Sequence, residues 1–267
     1  MRPTLPPLPR SLALLFGLAA TAMAAHGSPS PGTGPAPVLV ELFTSEGCSN
    51  CPPADALLAE LEGAHAASGA EVIVVGEHVD YWDRLGWADP YSSPSFTRRQ
   101  EDYAAALRQP TVYTPQVVVD GTYEGVGSDR NQVWKAITAA SARPKARMSL
   151  TRLQDDHQEA SLQVRIDGLR SAAGDGPAVL YLAITEDGLQ SRVTRGENAG
   201  RVLIHAAVLR RLTRIAVLDP GKDTFAATVQ VPLDPVWKRQ SLRAVGFLQG
   251  ERSGRILGAV SGPLNPD

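Results

Sequence analysis

The chain has 267 residues, with 26 Lys+Arg against 28 Asp+Glu and a formal net charge of -2. Hydrophobic residues make up 43% and charged residues 20%, the balance of a folding globular protein, and the charge gives no electrostatic reason to expect nucleic acid or anionic lipid as a partner. Two cysteines cannot staple a disulfide-rich scaffold.

In chain order, Arg2 and Arg10, an apolar run over 12–20 and the small-residue end Ala22-Met23-Ala24 read as a signal peptide covering residues 1–24. The run is too short to span a bilayer, which takes about 20 apolar residues. Its removal takes away Arg2 and Arg10 and shifts the net charge from -2 to -4. The expectation is a mildly acidic periplasmic or secreted protein with no membrane association beyond that segment. Residues 25–37, rich in Gly, Pro and Ser, read as a flexible leader.

From 38 to 144 short apolar runs alternate with amphipathic stretches, the α/β signature. Val38 to Phe43 predicts a buried strand interrupted by Glu41. Pro52 and Pro53 open a helix with Leu57, Leu58 and Leu61 on one face. A second strand begins at Glu71 and runs toward His78. An aromatic loop, Tyr81 to Pro94, leads to a helix over 96–107. Val117 to Val119, the turn Asp120-Gly121 and a return strand over 122–126 read as a hairpin. Ser128 or Asp129 then caps a helix with Val133, Trp134 and Ile137 as its stripe.

After Ala146 the pattern predicts strands without obvious helices: a hairpin over 148–153 and 160–166, then 179–184, 205–217, 224–231, 242–248 and 255–260. Residues 145–267 are therefore expected to form an all-β antiparallel sandwich following the α/β domain.

Both cysteines fall in Cys48-Ser49-Asn50-Cys51, between the first strand and the first helix. A redox dithiol is the preferred reading, because a helix start offers free N–H groups and a dipole that favour a thiolate. As a structural bridge the pair is weak: a four-residue loop gives about 1.9 kcal/mol by chain entropy, against about 3 for a fifteen-residue loop. A metal site needs more ligands than two thiolates, and of the five scattered histidines only His78 stands near the end of a neighbouring strand. The alternative function is accordingly a metal- or ligand-binding module using Cys48, Cys51 and His78 without redox turnover.

The order strand, Cys-x-x-Cys, helix, strand, helix, strand, hairpin strand, helix over 38–142 resembles a thioredoxin-like domain. More narrowly, Glu41 to Cys48, Cys51-Pro52-Pro53-Ala54-Asp55, His78 to Asp83 and Gly196-Glu197-Asn198 resemble a bacterial exported family known only as a domain of unknown function, number 1223. The thioredoxin-like resemblance implies a thiol-disulfide oxidoreductase-like protein acting on protein or small thiol partners. In it, Cys48 would be the more exposed, attacking thiolate and Cys51 the buried resolving thiol. Glu41 would carry the proton of Cys51, or else point to solvent as an ordinary strand carboxylate. Pro115 would be cis and leave the main chain of Thr114 free to pair with an extended substrate.

Other residues bear on the same site. Glu46 sets a negative charge beside the motif, which opposes a strongly oxidising dithiol. The aromatic loop, with Tyr81, Trp82, Trp87 and Tyr91, reads either as a wall of the site, Tyr81 and Trp82 gripping substrate, or as a loop packed on its own domain. His78 is read as bonded to a nearby carboxylate such as Asp80 or Asp83. Residues 195–201 are read as a long hairpin turn in preference to a loop contacting the dithiol. No catalytic triad or phosphate loop is legible, and no cofactor is expected.

Overall fold

The computed structural model describes residues 35–155, 158–173, 176–219 and 221–264. The signal peptide and most of the leader, expected over 1–24 and 25–37, lie outside the described residues. No helix among the described residues is long and apolar enough to cross a membrane.

The first half follows the predicted order. Strand β1 (Val38–Thr44) is buried along its whole length and pairs in parallel with β2 (Val72–His78), from Val38 opposite Val72 to Thr44 opposite His78. Between them lies α1 (Pro52–Leu61). Helix α2 (Pro94–Leu107) starts at Ser93, whose side chain accepts from Ser95 N–H. Strand β3 (Gln116–Val119) pairs antiparallel with β1 and forms a hairpin with β4 (Tyr123–Val126). Asp129 caps α3 (Arg130–Ser141) by accepting from Gln132 N–H.

The second half overturns the expected fold class. Strands β5 (Arg147–Asp155), β6 (Glu159–Asp167) and β11 (Thr224–Pro232) form a three-stranded sheet. The others, β7 (Ala178–Glu186), β10 (Val208–Leu218), β12 (Leu242–Gly250) and β13 (Ile256–Pro263), join the first-half strands in one eight-stranded mixed sheet, ordered β13-β12-β7-β10-β2-β1-β3-β4. The described residues do not form a thioredoxin-like domain followed by a separate sandwich. The two halves share a sheet because β10 covers the edge that β2 would otherwise expose. The joint is narrow: Val208 stands opposite Gly76, and Gly76 N–H donates to the Ala207 carbonyl at 2.8 Å. A Cβ at position 76 would come within 3.3 Å of the Ala206 carbonyl oxygen, so glycine permits the approach.

The strand expected over 205–217 is broken at Ala207, which has φ of 48°, into β9 (Val202–His205) and β10. Strand β9 pairs with β8 (Leu189–Arg192) in a two-stranded ribbon. A short helix, α4 (Leu169–Ala173), stands where none was expected.

Alternation along β1 sets the site. Val38, Val40 and Leu42 face α1 and α3 in one apolar cluster. Leu39 faces the other side, with Ile73, Val75, Phe96 of α2 and Phe247. The three-stranded sheet packs on the remaining strands through Leu162, Val164 and Ile166 against Leu180, Leu182 and Ile184.

Candidate functional site

Cys48 and Cys51 form a disulfide in the connection between β1 and α1. Cys51 is the N-cap of α1, and Pro52 and Pro53 fill the first helical positions. These prolines fit the turn but remove two of the donors a helix start would offer, and Ala54 N–H is spent on the Cys51 carbonyl at 2.8 Å. The helix start thus supplies less thiolate stabilisation than its position alone implies.

Neither sulfur-bearing residue is open to solvent: Cys48 is 1% and Cys51 0% exposed, while Ser49 and Asn50 between them are exposed. Cys48 is thus buried where exposure was expected, and the loop that joins β8 to β9 meets its main chain. Asn198, fully buried, donates through Nδ2 to the carbonyls of Glu46 and Cys48, each at 2.9 Å. Glu197 accepts from Ser49 N–H at 3.0 Å. Residues 195–201 are therefore a contact loop on the dithiol segment.

Glu46 and Asp55, which flank the two cysteines in sequence, belong to a buried polar cluster drawn from five segments. Glu46 accepts from Trp87 Nε1 at 2.8 Å, and its Oε1 lies 3.0 Å from His205 Nε2. The other ring nitrogen of His205 is 3.9 Å from Asp55 Oδ2 on α1, and Asp55 accepts from the Thr44 hydroxyl at 2.7 Å. His78 Nδ1 meets Asp89 Oδ2 at 2.7 Å, so its carboxylate partner is Asp89, not Asp80 or Asp83. Asp89 also accepts from Glu46 N–H. The rings of His78, His205 and Tyr91 stand edge to face within 4.8 to 5.8 Å.

The electrostatics follow from burial and pairing. Burial pushes the Asp55 carboxyl above its ordinary 3.8, against the pull of His205 and His78. Burial works to lower the His78 imidazole, but Asp89 beside it leaves it above the ordinary 6.5. Burial works to raise Asp89, but His78 and the N–H groups of Glu46 and Tyr91 hold it below 3.8.

The sequence profile of the family described as protein of unknown function DUF1223 matches residues 39–249. The chain belongs to the DUF1223 family. Among solved structures, it is similar to protein AGR_C_4864 from Agrobacterium tumefaciens, at 26% identity and a TM-score of 0.66, over 88% of this chain and 98% of that one. It shares its fold with HBP35 of Porphyromonas gingivalis, at 14% identity and a TM-score of 0.58, over 87% of this chain and 76% of that one. No curated protein matches the chain.

In this DUF1223 protein the expected site residues separate into two groups. Trp82, Thr114 and Pro115 lie beside the dithiol segment. A Cβ on Gly47 would sit 3.1 Å from Trp82 Cβ, and Trp82 Nε1 donates to Thr114 Oγ1 at 2.8 Å. The Thr114–Pro115 bond is cis. Tyr81 turns away, its hydroxyl donating to Gln100 at 3.3 Å.

Glu41 is not brought to Cys51. It points to the α2 face of the sheet, opposite α1, and is neither solvent-facing nor free. Arg99 Nε donates to it at 2.7 Å, the Tyr103 hydroxyl donates to its other oxygen, and Glu77 is 3.3 Å from Arg99 Nε. Nor do Cys48, Cys51 and His78 form a metal centre: among the described residues no three His, Cys, Asp or Glu side chains are arranged to hold one. The Glu41 side of the sheet borders a cavity of about 520 Å³ lined by Arg99, Tyr103, Tyr181, Arg214, Gln249 and Arg252, and no residue of the dithiol segment lines it.

Sequence reasoning missed His205, Asp55, Asp89 and the docking of Asn198. His205 carried a signal, being a histidine in an apolar strand-like run, but nothing in the order of residues places it beside Glu46.

Proposed function

We propose that this protein is an exported thiol-disulfide exchange protein in which the Cys48–Cys51 disulfide is the reacting group, acting on thiol or disulfide partners. The observation that carries the reading is a four-residue disulfide ring at a strand-to-helix junction, flanked by the buried carboxylates of Glu46, two residues before Cys48, and Asp55, four after Cys51, with the His205 imidazole bonded to Glu46. A bridge placed for stability alone would close a longer loop. The strand, Cys-x-x-Cys, helix order with Thr114–Pro115 alongside resembles the surroundings of dithiols in thioredoxin-like proteins, which supports the same role. The signal peptide expected over residues 1–24 would deliver the chain to the periplasm or beyond, where disulfides persist.

In the exchange, a substrate thiolate attacks Cys48 Sγ, the Cys48–Cys51 bond breaks, and Cys51 leaves as a thiolate that takes up a proton. A second substrate thiol, losing its proton, attacks the mixed disulfide and releases Cys48 as the thiol. The substrate loses two electrons and the protein gains them; run backwards, the same steps reduce a substrate disulfide.

The test is a Cys51→Ser variant exposed to an extract of the export compartment. A covalent adduct on Cys48, cleaved by dithiothreitol and missing from the Cys48→Ser variant, is the expected result. Absence of any adduct would overturn the exchange reading.

A further inference from the structure

Resting on the exchange reading above, we propose that the Gly196–Asn198 loop is a gate over the disulfide, with Glu197 as its latch and Asn198 as its seat, so that these two residues set how fast a thiol reaches the sulfurs. Thiol-disulfide exchange requires a thiolate to approach a sulfur from outside the ring, and neither cysteine offers a solvent-facing surface. The loop that bonds to the main chain of Glu46, Cys48 and Ser49 is a unit held together by its own main chain. Val193 N–H donates to Arg201, Ala199 to Gly196, Gly200 to Val193 and Arg201 to Asn198, at 2.9 to 3.2 Å. Such a loop can lift as one piece.

Its ties to the dithiol segment are three hydrogen bonds: two from Asn198 Nδ2, and one from Ser49 N–H to Glu197. Against Trp87 and Gly86 the loop has only glycine at its contact point, since Gly196 Cα lies 3.5 Å from where a Cβ on Gly86 would stand. The closed position is also imperfect. Asn198 Oδ1 is buried and finds no protein partner. Glu197 is an exposed side chain whose polar contact is with the dithiol segment, and that contact holds its carboxyl below the ordinary 4.5. It closes the gate without being part of the core.

The experiment measures the rate at which dithiothreitol reduces the oxidised full-length protein, in wild type, Glu197→Ala and Glu197→Gln, together with the equilibrium position of each in a dithiothreitol redox buffer. Loss of the charge-assisted bond is expected to speed reduction about tenfold in Glu197→Ala, whereas Glu197→Gln, which keeps an acceptor for Ser49 N–H, stays within about threefold of wild type. The equilibrium position is expected to be unchanged, because a gate that covers both redox forms alters rates alone. Equal rates in wild type and Glu197→Ala would overturn the gate. So would an equilibrium shift as large as the rate change, which would mean that Glu197 acts on the stability of the sulfur forms and not on access. Dithiothreitol needs no natural partner, so a missing adduct in the Cys51→Ser experiment would sink the exchange reading and leave this result standing.

Discussion

Glu46 and His205, separated by 159 positions, meet at 3.0 Å, each almost wholly buried. The pair ties the β1–α1 connection to β9. Replacing His205 by alanine strips Glu46 Oε1 of its partner and opens a hole against the His78 and Tyr91 rings. We expect His205→Ala to lower stability by about 2–4 kcal/mol, read from urea unfolding of the oxidised protein. Glu46→Gln keeps an acceptor for Trp87 and should cost less.

On the other face of the sheet, Arg99 is the cation between Glu41 and Glu77. Burial holds the Glu77 carboxyl well above its ordinary range, with Arg99 opposing the rise. Arg99→Met leaves Glu41 buried without a counter-ion, and a loss of about 3–5 kcal/mol is expected near neutral pH. Glu41→Gln should also destabilise, yet leave the equilibrium of Cys48–Cys51 with glutathione where it is in wild type. A shift in that equilibrium would return Glu41 to the dithiol.

The His78–Asp89 pair gives stability a pH window. His78 titrates above its unfolded 6.5, so its contribution is full below that value and is lost as pH rises through the raised folded value. Asp89 titrates below its unfolded 3.8, so its contribution is full above that value and is lost as pH falls through the lowered one. The difference in urea midpoint between wild type and His78→Asn should therefore be largest between 3.8 and 6.5 and should narrow toward alkaline pH.

Gly121, in the β3–β4 turn, has φ of 61°, and a Cβ there would fall on the carbonyl of Gly254 in the β12–β13 turn. Both partners are main chain, so neither can swing aside. Gly121→Ala is expected to cost about 3 kcal/mol or more, measured by thermal or urea unfolding. Gly63→Ala, at a similar φ of 67° with open space around it, should cost less.

How much of this was legible in the residues follows from which interactions are local. Proline at a helix start, the Asp129 cap and the Asp120-Gly121 turn are set by near neighbours, and the elements from Val38 to Ser141 fall within a few residues of their predicted ends. The pairing of β10 with β2 is not local. The run Val72-Ile73-Val74-Val75 announces a strand buried on both faces but not what lies at its edge, and the contact there comes down to Val208 and Gly76. Four strands expected in a sandwich of their own went instead to the large sheet. The same blindness hid His205 and the seating of Asn198, because polar residues in a strand pair or its turn look alike whether they meet water or a buried partner. Glu41 stands on the expected strand but neither beside Cys51 nor in solvent, because alternation along β1 turns it to the face opposite α1, where Arg99 meets it.

The long-range partners of the dithiol segment are laid down long after the cysteines themselves. Cys48 and its seat on Asn198 are 150 positions apart, and Glu46 waits a further stretch for His205. A nascent chain that has grown only to residue 145 carries both thiols but neither Asn198 nor His205. An oxidant acting during synthesis meets a pair without these partners, whereas one arriving after the last strands have joined meets the docked one. The history of the chain, and not only its final shape, thus bears on when the bond can form.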